Sequence, residues 1–143
     1  MTGHTATIFS IEYTPDGYHI VSGSEDKTVR VWDAHSLRGR IVLPLGAGCV
    51  SVCSGNSRIF TGTLAGELLS WSLNFGDETA DATPKSILAH DDSIYSVRYV
   101  SKIDSIITAS RDRYIKVWPL STVDQSITAA NAEKELLAHK VYA

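Results

Sequence analysis

The feature that most constrains the fold of this chain is a short pattern that occurs twice, with 86 residues between equivalent positions. Each copy has a run of small residues, a turn with an aspartate and an alternating stretch that ends in tryptophan; the copies are residues 22–33 and 108–118. In both copies a histidine precedes the aspartate by 22 residues. Ordinary core packing does not produce identical spacings so far apart, so they indicate an internal repeat.

A third, weaker copy lies between these two. Because 86 is twice 43, a repeat of about 43 residues predicts an intermediate copy, and residues 61–71 supply it. The chain is therefore predicted to be one domain built as a tandem array. Its units are expected at about 4–46, 47–89 and 90–138, with 139–143 starting a further repeat.

The repeats resemble the WD40 family, whose units of about 40–45 residues have Gly-His near the start and Trp-Asp at the end. The first unit matches best, because it ends in Trp32-Asp33, whereas the other two keep only the tryptophan. The resemblance implies an all-β fold in which each unit is one four-stranded blade of a β-propeller. Recurrent turn residues agree with this, and a Thr-Pro-Asp-Gly turn at 14–17 is predicted to separate strands at 5–13 and 18–24.

Three blades form an open arc, whereas closed propellers have about four to eight. Residues 136–139 repeat residues 87–90, so a fourth unit begins as the sequence ends, and the twelfth strand is predicted at 134–138. Two explanations remain open: the chain is a piece of a longer propeller, or two or more copies close a ring head to tail. An isolated arc would expose large apolar patches.

The composition excludes several classes of function. A net charge of −3 and a pI near 5.9 argue against a general binder of nucleic acid or membrane surfaces. No apolar run reaches the roughly 18 residues of a membrane span, and the start has no secretory pattern. We therefore expect an intracellular protein, in the cytoplasm or the nucleus.

The two cysteines, Cys49 and Cys53, are expected to be reduced thiols on one strand. Residues four apart on a regular strand point to the same face but lie about 13 Å apart, too far for a disulfide or a shared metal. No metal site and no cofactor are predicted.

Two sets of polar residues have the composition of a catalytic triad with a tryptophan added. They are His4, Ser24, Asp26 and Trp32, and His90, Ser110, Asp112 and Trp118. The resemblance implies instead that each set forms a buried hydrogen-bond network running from Trp to Ser to His to Asp, which satisfies every polar group. Nucleophilic catalysis would need an open pocket and an oxyanion hole, which the sequence does not indicate. No catalytic residue is predicted.

The second unit departs from this pattern. Leu45 falls at the histidine position and Ala65 at the aspartate position, so that only Thr63 remains to accept a hydrogen bond from Trp71. This blade is predicted to rely on apolar packing. Losing His and Asp together is reasonable, since either one alone would be buried without a partner.

The resemblance places partner-binding residues on the face that carries the second-to-third-strand turns and the starts of the first strands. The matching positions form one set per unit: Thr7, Phe9 and Glu25; Gly48, Val50 and Leu64; Ser93, Tyr95 and Arg111. Aromatic residues and arginine dominate binding hot spots, so Phe9, Tyr95 and Arg111 are the strongest candidates. The alternatives are that the aromatic residues are partly buried wall residues and that the arginine is a solvated charge.

The leading functional hypothesis is a non-enzymatic scaffold or adaptor that binds other proteins or peptides through this face. The alternative is a recognition subunit of a ribonucleoprotein or ubiquitin-ligase complex that binds RNA or a modified peptide. A basic cleft or salt-sensitive RNA binding would favour the alternative.

Overall fold

A computed structural model describes residues 2–73, 83–124 and 139–140, which form three four-stranded antiparallel sheets with the strands in chain order. The first sheet contains β1 Ile8–Tyr13, β2 His19–Ser24, β3 Thr28–Asp33 and β4 Gly39–Pro44. The second contains β5 Cys49–Gly55, β6 Arg58–Thr63, β7 Glu67–Ser72 and β8 Lys85–Leu88. The third contains β9 Ile94–Val100, β10 Ser105–Ser110, β11 Tyr114–Pro119 and β12 His139–Lys140. A 3-10 turn, Ser101–Ile103, and one short helix, α1 Leu120–Asp124, complete the described residues. The predicted all-β fold with three blade-like sheets is confirmed.

The turn between β1 and β2 shows how local sequence ends one strand and starts the next. Gly17 has a φ of +75°, and its N–H donates to the carbonyl of Thr14 at 2.8 Å. Glycine adopts this left-handed backbone without a clash at Cβ, so the Pro-Asp-Gly sequence turns the chain where the pattern predicted.

Each sheet has two faces, and only one of them carries the tryptophan of the repeat. Residues opposite each other in register lie on the same face, as Trp32, Ile20 and Tyr13 do in the first sheet. We call the tryptophan side the front face of a sheet and the other side its back face.

The back face of each sheet packs on the front face of the next. One apolar cluster joins the first two sheets: Val21, Val29, Val31, Leu43, Cys49, Val52, Ile59, Leu69, Trp71 and Leu73. The contact is close at two glycines of the second strands. A Cβ on Gly23 would lie 2.5 Å from Cys49 Sγ, and a Cβ on Gly62 would lie 2.6 Å from Ile94 Cγ2. Both glycines thus allow neighbouring sheets to approach.

The prediction that the two cysteines share a face is wrong. A β-bulge between Cys49 and Ser51 shifts the register of β5, so Cys49 faces the first sheet and Cys53 faces the third. One extra residue reverses the alternation of side chains along the strand. Both are free thiols, and burial raises the pKa of each to about 12.

The outer strand of the third sheet is the short β12. It pairs with Tyr114 and Ile115 of β11. The strand predicted at 134–138 lies outside the described residues. Residues 139–143 are expected to start a further repeat, whereas the structure pairs His139 and Lys140 with the third sheet.

Candidate partner-binding face

A chain of hydrogen bonds crosses the front face of the first sheet. Trp32 Nε1 donates to Ser22 Oγ at 2.8 Å, and Ser22 Oγ lies 2.8 Å from His4 Nε2. His4 Nδ1 lies 2.8 Å from Asp26 Oδ2. Because a carboxylate only accepts hydrogen bonds, Nδ1 carries the proton, and Nε2 is left to accept from the serine.

The serine of this network is Ser22 and not Ser24, so that assignment is wrong. Both hydroxyls lie on the front face. Ser22 is the nearer one to the tryptophan, because it is only two residues beyond Ile20, which pairs with Trp32. Ser24 stands at the end of β2, where its hydroxyl donates to Ala6 O at 3.3 Å and accepts from the N–H of Asp26 at 3.1 Å. It therefore shapes the turn after the strand.

The third sheet repeats the network with threonine in the serine position. Trp118 Nε1 donates to Thr108 Oγ1 at 2.9 Å, and Thr108 Oγ1 lies 2.7 Å from His90 Nε2. His90 Nδ1 lies 2.7 Å from Asp112 Oδ2. The predicted Ser110 is again displaced to the turn, where its hydroxyl accepts from the N–H of Asp112 at 3.1 Å.

Burial and hydrogen bonding act in opposite directions on the two aspartates. Burial disfavours their charged forms, but hydrogen bonds from Thr28 and His4 to Asp26, and from Tyr114 N–H and His90 to Asp112, outweigh it. The pKa of each carboxyl is therefore below its ordinary value. Burial lowers the pKa of His90, against the opposing effect of Asp112.

In the second sheet the corresponding polar atoms are unpaired within the described part of the chain. Trp71 lies opposite Ile59, so the hydroxyl in the acceptor position belongs to Thr61 and not to the predicted Thr63. Thr63 Oγ1 instead accepts from the N–H of Glu67 at 3.1 Å. Trp71 Nε1 and Thr61 Oγ1 are both buried, and neither has a hydrogen-bond partner among the residues that the structure describes.

The candidate partner-binding residues lie on the side of the three sheets where the first strands begin and the second strands end. We call this side the upper face. The same backbone hydrogen bond occurs there in every sheet: Glu25 N to Thr7 O at 2.8 Å, Leu64 N to Gly48 O at 2.9 Å and Arg111 N to Ser93 O at 2.9 Å. The start of each first strand is thus joined to the turn that follows the second.

A β-bulge in the first strand of each sheet positions a further candidate. The register shifts lie between Ile8 and Ser10 in β1 and between Cys49 and Ser51 in β5. In β9 the shift lies opposite Ala109 and Ser110 of the paired strand β10. The residues left out of register are Phe9, Val50 and Tyr95. Bulges redirect side chains and are common beside functional sites. Sequence matching found these residues but not the bulges.

Contacts between sheets make the upper face continuous. Ser93 Oγ donates to Leu64 O at 3.0 Å, and a Cβ on Gly48 would lie 2.9 Å from Leu64 Cδ1 and 3.5 Å from Glu25 Cα. Ser93 itself is buried, so its contribution is to join two sheets.

Three large apolar side chains are exposed on this face: Phe9 at 48%, Leu64 at 43% and Tyr95 at 56%. Charge differs along it, since the exposed Glu25 belongs to the first sheet and Arg111 to the third. Arg111 Nε lies 3.7 Å from Asp92 Oδ2, a partner that sequence matching did not identify. The upper face therefore combines apolar side chains with charges of both signs.

The regions that match a known protein family contain the two strong copies of the repeat. The family described as "WD domain, G-beta repeat" matches residues 1–33 and 82–119. The chain is 29% identical over 129 residues to a guanine nucleotide-binding protein subunit beta of Solanum tuberosum, covering 85% of this chain and 34% of the relative. It is 28% identical over 130 residues to the nuclear distribution protein nudF of Emericella nidulans, covering 85% and 28%. It is 27% identical over 120 residues to transcription initiation factor TFIID subunit 5 of Caenorhabditis elegans, covering 82% and 18%.

The chain thus spans about a third or less of the length of these curated relatives. Among the residues that the structure describes, none belongs to a helix long and apolar enough to cross a membrane.

Proposed function

Because this chain belongs to the WD40-repeat family, we propose that it is a non-enzymatic scaffold or adaptor that binds other proteins or peptides through the upper face. The observation that carries the proposal is the repeated bulge, which redirects Phe9, Val50 and Tyr95 at equivalent places in the first strands of the three sheets. Aromatic side chains in such positions are typical anchors of binding interfaces.

The geometry of the polar networks supports a function without catalysis. Ser22 has the His and Asp neighbours of a nucleophile, but the residue is only 3% exposed, and its hydroxyl also accepts from Trp32. A hydroxyl engaged in this way is poorly placed to attack a substrate. The network joins strands and turns within the sheet.

The partner expected for the upper face is a segment with apolar side chains flanked by charges. Phe9, Leu64 and Tyr95 supply apolar area, while Glu25 and Arg111 favour a basic group near the first sheet and an acidic group near the third. An intracellular location, in the cytoplasm or the nucleus, belongs to the same proposal and agrees with the free thiols.

In this proposal further blades extend the upper face beyond the three described sheets. They come either from a longer chain or from further copies of this one, the two sources that the sequence left open. The lengths of the relatives support the first source.

Selection from a random peptide display library tests the proposed binding face. Peptides selected on the purified chain should bind the Phe9→Ser/Tyr95→Ser variant at least about tenfold more weakly. The control is Tyr18→Ser, which removes a tyrosine that is 73% exposed in the turn between β1 and β2. Peptides that bind both variants like the parent chain would contradict the proposal. Selective retention of RNA with a steep salt dependence would point to the alternative function.

A further inference from the structure

The sequence contains two Thr-Pro dipeptides, at 14–15 and 83–84, and their hydroxyl groups have different surroundings. Thr14 is 3% exposed, and its hydroxyl donates to Asp16 Oδ1 and accepts from a backbone N–H at 3.1 Å. Thr83 is exposed, and no hydrogen bond joins it to another residue in the described ranges. Of the two threonines, only Thr83 therefore offers its hydroxyl to a modifying enzyme.

The backbone around Thr83 suits an enzyme that binds its substrate as an extended segment. Pro84 disfavours the helical region for the residue before it, so that Thr83 is held towards extended conformations. Proline also has no N–H, which in any other residue would need a hydrogen-bond partner in the enzyme groove. Thr83 lies two residues before β8 and belongs to no strand, so binding it would break no strand pairing.

Two cations lie on the side of the second sheet where Thr83 enters it. Ser70 of β7 pairs with Lys85 of β8, and Ser72 pairs with Arg58 of β6. Continuing the register of β8 by two residues would bring Thr83 opposite Ser72, on the same face as Arg58 and Lys85.

The Arg58 side chain extends across β7 towards the outer strand. Its Nη1 donates to Ser70 Oγ at 3.4 Å, and Ser70 is the residue that pairs with Lys85. An anionic group on Thr83 would therefore have a guanidinium on one side and an ammonium on the other. Charge-assisted hydrogen bonds of this kind are about twice as strong as those between neutral groups.

We infer that Thr83 is a phosphorylation site for a proline-directed protein kinase and that its phosphate binds Arg58 and Lys85. In the transfer, Thr83 Oγ1 forms a bond to the γ-phosphorus of ATP, and the bond from that phosphorus to the β,γ-bridging oxygen breaks. The hydroxyl proton passes to the catalytic aspartate of the kinase, and ADP leaves. The new phosphate ties the connection between β7 and β8 to the sheet.

This inference does not depend on partner binding at the upper face. Arg58 begins β6 and Lys85 begins β8, whereas the upper face lies where the second strands end. The proposed phosphate site is therefore at the opposite end of the strands.

The first test is phosphorylation of the purified, folded chain with ATP and a proline-directed protein kinase of confirmed activity. Mass spectrometry of the digested product should place phosphate on Thr83 and not on Thr14, and Thr83→Ala should abolish the modification. An unmodified Thr83 would overturn the site. Equal modification of Thr14 would overturn the selection by exposure.

The second test measures whether the phosphate binds the two cations. Phosphorylation should raise the thermal unfolding midpoint of the parent chain by about 2–4 °C. Arg58→Gln and Lys85→Gln should each remove most of that rise. The control is Arg40→Gln, at an exposed arginine of β4, which should leave the rise unchanged. A rise of equal size in all three variants, or no rise in the parent chain, would overturn phosphate binding by Arg58 and Lys85.

Discussion

The second and third sheets have the same strand order and the same register, yet they satisfy their buried tryptophans differently. In the third sheet Trp118 begins a chain of hydrogen bonds that ends at Asp112. In the second, Trp71 Nε1 and Thr61 Oγ1 are buried without a partner in the described part of the chain. Strand pairing and apolar stacking therefore suffice to specify a blade, and the polar network adds its contribution only where every member is present.

The second sheet replaces the missing network with apolar contact. Leu45, at the histidine position, packs against the cluster formed by the first two sheets. Trp71 and Ile59 in that cluster are fully buried. Apolar burial of this kind is worth about 25 cal/mol per Å², so it offsets part of the cost of the unpaired atoms.

The largest expected effect comes from breaking the complete network. Asp112→Ala should reduce the free energy of unfolding by about 3 kcal/mol, because it leaves the buried His90 Nδ1 without its acceptor. His4→Ala should cost a similar amount in the first sheet. Urea denaturation measures both. Asp91→Ala, at the exposed neighbouring residue, is the control; a loss as large as that of Asp112→Ala would contradict a specific role for the network.

The next effect contrasts the two threonines that occupy the same register position. Thr108→Val should cost about 2 kcal/mol, since both Trp118 and His90 lose a partner. Thr61→Val should be neutral or stabilise by up to about 1 kcal/mol, because its buried hydroxyl has no partner to lose among the described residues. The two substitutions remove the same atoms, and equal changes in their denaturation midpoints would show that the network contributes nothing.

The fold was predictable because a long-range period and strong turn residues both indicated it. The members of the hydrogen-bond networks were not, because they depend on the register in which the strands pair. Ser22 and Ser24 are two residues apart and share a face, so spacing alone does not decide which one faces Trp32. The pairing of Ile20 with Trp32 decides it. A bulge is equally invisible in the pattern, and it is why Cys49 and Cys53 occupy opposite faces.

A smaller effect is expected from acidification. Burial holds the pKa of His90 below its ordinary value of 6.5, so below that pH the unfolded chain binds a proton that the folded chain does not. Stability should therefore fall between pH 7.5 and 5.5, by at most about 1.4 kcal/mol for one group. The lowered pKa values of Asp26 and Asp112 should cause further loss as the pH falls through 3.8.

Comparison with His90→Gln isolates this contribution, because the variant lacks the titrating group. Its unfolding free energy should change less between pH 7.5 and 5.5 than that of the parent chain. An unchanged pH dependence would assign the effect to other histidines.

The smallest expected effect is that of restoring a single member of the network to the second sheet. Ala65→Asp should change stability by less than about 0.5 kcal/mol, because position 65 is exposed and Leu45 offers no hydrogen-bond donor. Adding Leu45→His at the same time supplies the link between a new carboxylate and Thr61, which already stands in the acceptor position for Trp71. The pair should then show a favourable coupling of about 1 kcal/mol in a double-mutant cycle. A gain from the single change as large as that from the pair would mean that aspartate acts alone in this turn, and the contrast between the two sheets would need another cause.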